Sequence, residues 1–142
     1  HTHNNTITSF LSNQLTDERF LAREPGVHNE MLLEQHSANP GPTVLISPSL
    51  SRGVDLKDNL ARFQIIVKAP YLPTKDKRIE KLMKADFNWY ANKMICSLIQ
   101  SCGRGVRSQK DYCTTYILDA AIVESIVNNK HKLPKYFIDR FL

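Results

Sequence analysis

Arg104 and Arg107 stand three positions apart in the stretch Gln100-Ser101-Cys102-Gly103-Arg104-Gly105-Val106-Arg107, just past the end of a predicted helix. Both guanidinium groups can therefore reach one small anion. Phosphoryl oxygens suit such a pair, because a planar fork keeps its charge and binds two oxygens at once, whereas lysine offers a point charge. Gly103 lets the chain turn sharply, and Gln100 can orient an attacking water or hold a phosphate contact. A second unusual stretch, Ser47-Pro48-Ser49-Leu50-Ser51-Arg52-Gly53-Val54-Asp55-Leu56, directly follows a predicted strand. There Gly53 permits close backbone approach or a positive φ, Asp55 can accept a hydrogen bond from a hydroxyl or an arginine, and Ser49 and Ser51 can donate to a phosphate. A plain turn leading into the next strand accounts for Gly-Val-Asp as well.

Charge is spread unevenly around these stretches. Residues 68–110 hold ten Lys or Arg against three acids, a local charge of +7, within a chain whose net charge is +5. Interleaved with Tyr71, Phe87, Trp89 and Tyr90, that block is what a phosphate backbone favours. Lys75, Lys77, Arg78, Lys81 and Lys84 can follow such a backbone, and Trp89 can stack on a base. A solvated helix face explains the same lysines, and Tyr90 shares an apolar stripe that assigns it to the core.

The elements that must position these residues follow from hydrophobic periodicity. Ile7, Phe10, Leu11 and Leu15 recur at helical spacing, Arg19 to Ala22 reads as a short strand, and Met31 to Gln35 as a short helix ended by Asn39-Pro40-Gly41-Pro42. Thr43 to Ile46, Phe63 to Val67 and Thr114 to Leu118 are brief apolar runs of the kind found in buried parallel strands. Between the last two, Tyr90, Met94, Ile95, Leu98, Ile99 and Cys102 trace one face of a long helix that Gly103 terminates. Ile122, Val123, Ile126 and Val127 predict a further helix after Asp119. Strands alternating with helices imply an α/β fold with a doubly wound parallel sheet.

With 142 residues, 42 % of them hydrophobic, the chain is expected to form a single domain over residues 1–142 with its own core. No run approaches a membrane span and no leader opens the sequence, so a soluble, cytoplasmic protein without a membrane partner is expected. Cys96, Cys102 and Cys113 lack CxxC spacing, which predicts reduced, mostly buried thiols and no metal site. The abrupt start at His1-Thr2-His3 predicts an excised or cleaved fragment.

The two stretches together resemble the superfamily 2 helicases of the XPD and DinG type. Ser51-Arg52-Gly53-Val54-Asp55 is similar to their motif V, and Gln100, Gly103, Arg104 and Arg107 to the QxxGRxxR of motif VI. His1-Thr2-His3 resembles the end of motif IV, and Trp89-Tyr90 and Tyr116-Ile117-Leu118-Asp119 sit where members carry similar residues. The resemblance spans essentially the whole chain and implies a RecA-like domain, the second motor (C-terminal helicase) domain of an ATP-dependent DNA helicase. It implies that Arg104, Arg107 and Gln100 act on the γ-phosphoryl group, that Gly53, Asp55 and Gly103 line the ATP site, and that His3, Ser49, Ser51, Lys81, Lys84 and Trp89 contact DNA.

A motor of that class also needs a GxxxxGK[ST] loop and Mg²⁺-holding acids, neither of which this sequence contains. ATP and Mg²⁺ are then expected to be shared with a first RecA-like motor domain, with single-stranded DNA as the other partner. An iron–sulphur cluster is expected only in that other part. The chain alone is expected to be inactive. Two other readings remain open: a non-catalytic RecA-like nucleic-acid-binding module, and an RNA helicase domain. Intact Arg104 and Arg107 argue against the first, and Ser101-Cys102 in place of His-Arg ahead of Gly-Arg argues against the second.

Overall fold

The computed structural model describes residues 2–22, 26–48, 56, 58–106, 108 and 110–140, with side chains from residue 6 onward. Two compact units divide the chain, residues 1–55 and residues 56–142.

In the first unit, helix α1 (Thr2–Gln14) leads to strand β1 (Phe20–Ala22), helix α2 (Asn29–Ala38) and strand β2 (Val44–Ile46). β1 and β2 pair in parallel, Phe20 opposite Val44 and Ala22 opposite Ile46. Parallel pairing requires a crossover between the strands, and α2 supplies it. Leu32 is buried on the inner side of α2, while His36 Nδ1 and Thr43 Oγ1 bond the helix to the entry of β2. On α1 the expected apolar stripe is incomplete. Thr8 is buried and Phe10 is exposed, since Thr8, Leu11 and Ser12 share the covered face and Ser12 Oγ satisfies itself on the Thr8 carbonyl at 2.8 Å.

The second unit runs β3 (Phe63–Ile66), α3 (Lys77–Ala85), α4 (Phe87–Cys102), β4 (Thr114–Ile117), α5 (Ala120–Asn128) and a four-residue α6 (Lys135–Ile138). Each longer helix starts on an aspartate that accepts a backbone N–H: Asp76 from Arg78 at 2.8 Å, Asp86 from Trp89 at 3.0 Å and Asp119 from Ala121 at 3.1 Å. Short side-chain acceptors satisfy otherwise orphaned amides there, each worth about 1 kcal/mol. β3 and β4 pair in parallel, Phe63 opposite Thr114 and Ile66 opposite Ile117.

The core lies under one face of that pair. Met94, Ile95 and Leu98 of α4 pack with Ile122 and Ile126 of α5 and Phe137 of α6, and Ile66 and Ile117 close against them. Complete burial of Met94, Leu98 and Ile122 contributes roughly 1.5–3 kcal/mol each. The i, i+4, i+8 spacing of Tyr90, Met94 and Leu98 places them on this face, as the periodicity of α4 predicts. Contrary to the expectation of strands buried on both sides, the other face of the pair is open: Phe63 is 49 %, Ile65 50 % and Tyr116 54 % exposed. Alternation along β3 and β4 therefore sorts apolar residues onto both faces, and only one is covered within the described residues.

Candidate functional site

Helix α4 ends in a single 3₁₀ turn, Gly103–Gly105, which carries Arg104. Gly103 caps the helix with right-handed backbone, φ −79° and ψ −3°, and a Cβ there would meet nothing within 4 Å. The sharp glycine turn expected at Gly103 is thus not what shapes this site. Gly105 carries the steric demand instead: a Cβ on it would lie 2.5 Å from Cys113 Sγ and 3.2 Å from the Ala61 carbonyl oxygen. Only a residue without a side chain lets the turn press this closely on the two segments that enter β3 and β4.

That contact also fixes which edge of the strands the arginine turn occupies. Ala61 and Cys113 immediately precede β3 and β4, so the turn sits at their amino ends. In a parallel sheet ligands usually gather at the carboxyl ends of the strands. This turn lies at the opposite end for a simple geometric reason: a helix running back between parallel strands ends where the next strand begins. The carboxyl end of the same pair is tied off by Asp119, whose Oδ2 accepts from the Ala69 N–H at 2.8 Å.

Gln64 fastens the turn from below, its Nε2 donating to the Cys102 carbonyl at 3.2 Å and to Thr115 Oγ1 at 2.7 Å. Beside it, burial pushes the Cys102 thiol up to about 11, so it stays protonated and inert near neutral pH. Burial also raises Cys113, with the nearby Asp111 adding to the effect. Arg104 is half-buried with its Nε shielded from solvent, whereas Gln100 is exposed one turn earlier on α4. The arrangement holds one guanidinium on a braced support with an exposed amide a turn away. Its donors are cationic or neutral, which fits phosphate oxygens and does not fit Mg²⁺. Arg107 lies outside the described residues, as do Ser49, Ser51, Gly53 and Asp55; of His3 only the backbone is described.

The expected nucleic-acid contacts fall on a different surface. Lys77, Arg78, Lys81 and Lys84 share the exposed side of α3, opposite Ile79 and Met83, a nine-residue helix that the sequence disclosed only as a charge run. Lys84 is bonded to Glu80 at 2.6 Å, one helical turn away, which offsets part of its charge. Trp89 is half-buried near the start of α4, and Lys93 Nζ stands 5.9 Å from its ring centroid. A lysine over one face leaves the indole less surface for a base. Tyr90 is core as expected, stacked on Tyr71 at 5.2 Å with its hydroxyl donating to the Leu72 carbonyl at 2.7 Å.

These features define a class before they define a relative. The family model described as helicase C-terminal domain matches residues 1–139, and the chain belongs to that family. With its helices and parallel strand pairs it is an α/β, RecA-like domain, as the two motifs imply. The chain is 30 % identical over 112 residues to the ATP-dependent DNA helicase CHL1 of Kluyveromyces lactis, an alignment covering 65 % of this chain. That alignment spans 13 % of the relative's length, so this chain matches a small part of it. No helix among the described residues is long and apolar enough to cross a membrane.

Proposed function

We propose that this chain is the second motor domain of an ATP-dependent DNA helicase of the XPD and DinG type, acting in the cytoplasm. The observation that carries the reading is the Gly-Arg-Gly turn, braced by Gly105 against the entries of β3 and β4 and bearing Arg104. A charge that must stabilise a transition state works best when its position is set in advance. A guanidinium on a rigid support meets that need, and similarity to an ATP-dependent DNA helicase supplies the substrate class.

In this reading a first motor domain holds ATP and Mg²⁺, and this chain closes the nucleotide cleft from the other side. Arg104 and Arg107 bear on the γ-phosphoryl oxygens and stabilise the charge that shifts onto them during transfer, an effect worth roughly 10³–10⁵ in rate for comparable arginines. Gln100 orients the attacking water or steadies the phosphate. Gly53, Asp55 and Gly103 complete the nucleotide side. Single-stranded DNA runs over His3, Ser49, Ser51, Lys81, Lys84 and Trp89, with the lysines neutralising phosphates irrespective of sequence. An iron–sulphur cluster belongs to another part of the motor.

The test is Arg107→Ala in the complete helicase. DNA-stimulated kcat is expected to fall roughly 10²-fold or more, while ADP affinity changes only a few-fold, because the arginine acts on the group ADP lacks. Near-normal turnover would make Arg107 a structural turn residue and remove the reading. The purified chain alone is expected to hydrolyse no ATP above background, with or without DNA.

A further inference from the structure

On the covered face of β3 and β4 two rungs lie side by side, and they differ in chemistry. Ile66 opposite Ile117 is apolar and closes against the core. Gln64 opposite Thr115 is polar, two residues nearer the amino end and half-buried on the same face, since alternate strand residues share a side. A glutamine turned toward a core costs free energy unless its amide is bonded. Gln64 Nε2 carries two N–H groups; one donates to the Cys102 carbonyl at 3.2 Å and the other to Thr115 Oγ1 at 2.7 Å. Cys102 is the last residue of α4, and Arg104 follows two positions on, in the turn Gly103–Gly105. The carbonyls of a helix's last turn lack intrahelical partners, so the group that bonds one of them fixes where the helix stops. Past the arginine, Gly105 sits on Ala61 and Cys113. Arg62, next to Ala61, pairs at 2.8 Å with Asp111, two residues before Cys113 and with its side chain fully buried, so the two strand entries are locked together under the turn.

We propose that Gln64 is a positioning residue for Arg104. For stability alone an apolar residue at this position would serve as well, because it would extend the Ile66 and Ile117 rung into the core, whereas each amide bond contributes only about 1 kcal/mol net. What an apolar residue cannot do is hold the end of α4 at one place on the strand pair. Thr115 aims the amide, the amide holds the Cys102 carbonyl, and that carbonyl opens the turn that carries the guanidinium. With Gln64 before the arginine and the Gly105 seat after it, the backbone at Arg104 is fixed on both sides, and its charge is aimed before nucleotide arrives. In this role Gln64 touches no substrate and acts through Arg104. The inference rests on the proposed role of Arg104 at the γ-phosphoryl group.

The experiment is a kinetic double-mutant cycle in the complete helicase. Gln64→Leu keeps the approximate size and removes both donors. It is expected to lower DNA-stimulated kcat by roughly 10-fold to 10²-fold, as for a catalytic group displaced by up to about 1 Å, with little change in the KM for ATP. Added to Arg104→Ala, it is expected to cost nothing further, since its effect passes through the residue already removed. A loss that multiplies on the Arg104→Ala background overturns the proposal. So does normal turnover in Gln64→Leu beside slow turnover in Arg104→Ala, an outcome that leaves the role of Arg104 standing. Near-normal turnover in Arg104→Ala removes both. Should Gln64→Leu show no cooperative melt, Thr115→Val leaves the glutamine in place and removes only the hydroxyl that aims it. A few-fold drop in kcat that vanishes on the Arg104→Ala background supports the role of Gln64; normal turnover, or a drop that persists there, overturns it.

Discussion

The Gly103–Gly105 turn and helix α3 are both basic, and the sequence assigns phosphate contacts to both, yet the structure builds them in opposite ways. The turn carries one arginine whose Nε is shielded, on backbone pressed against Ala61 and Cys113. α3 carries four cations on an exposed face, and one of them, Lys84, is already engaged by Glu80. A charge that must meet one phosphoryl group at one moment needs a fixed position, because small displacements cost catalysis heavily. Charges that follow a polyanion need only number and reach, because released counterions supply the affinity. Single substitutions should therefore be severe at the turn and mild on the helix.

The largest effect is expected from Arg104→Ala in the complete helicase, a loss of roughly 10²-fold or more in DNA-stimulated kcat, measured as ATP turnover. Arg104→Lys should rescue poorly, since a point charge cannot reproduce the fork. Full activity in the lysine variant would erase the contrast with α3. Next comes the support of the turn. Gly105→Ala is expected to destabilise the chain by about 1–3 kcal/mol, as overpacking does, whereas Gly103→Ala should be close to neutral because its Cβ meets open space. Thermal melts of the two variants side by side decide this.

A smaller effect concerns Cys102, beneath the turn. Its thiol is raised from 9.0 to about 11, so the folded chain keeps a proton that the unfolded chain loses. The resulting stability is complete below about pH 9 and declines as pH rises toward 11, by on the order of 2 kcal/mol. Denaturant melts of Cys102→Ser should show a shallower decline over that window; an unchanged slope would mean the thiol is not desolvated.

The mildest substitutions should be on α3. Lys81→Ala is expected to weaken binding of single-stranded DNA by well under tenfold for every sequence and to reduce the salt slope by about 0.7, the value for one lost phosphate contact on a single strand. Lys84→Ala should do less, because Glu80 already shares its charge. A labelled-oligonucleotide titration at several salt concentrations ranks the two. Loss of tenfold or more from either lysine alone would mean that α3 presents a shaped site.

What the sequence determined by itself was the family and the order of the strands and of helices α1, α2, α4 and α5, but not α3 or α6. Two motifs about fifty residues apart imply a helicase, and short runs rich in apolar residues mark the four strands of the described residues, although one face of β3 and β4 is open. The stripe Tyr90, Met94, Leu98 likewise places the inner face of α4, since helical period alone dictates which residues share a side. What only the tertiary structure decided depends on contacts between residues far apart in sequence. That Gly105 rather than Gly103 is sterically required follows from Ala61 and Cys113, which enter two different strands. That the arginine turn lies at the amino edge follows from the return path of α4. The Arg62–Asp111 pair joins positions 49 residues apart, and no local pattern marks either residue, because the parallel pairing of β3 with β4 alone brings their amino ends together.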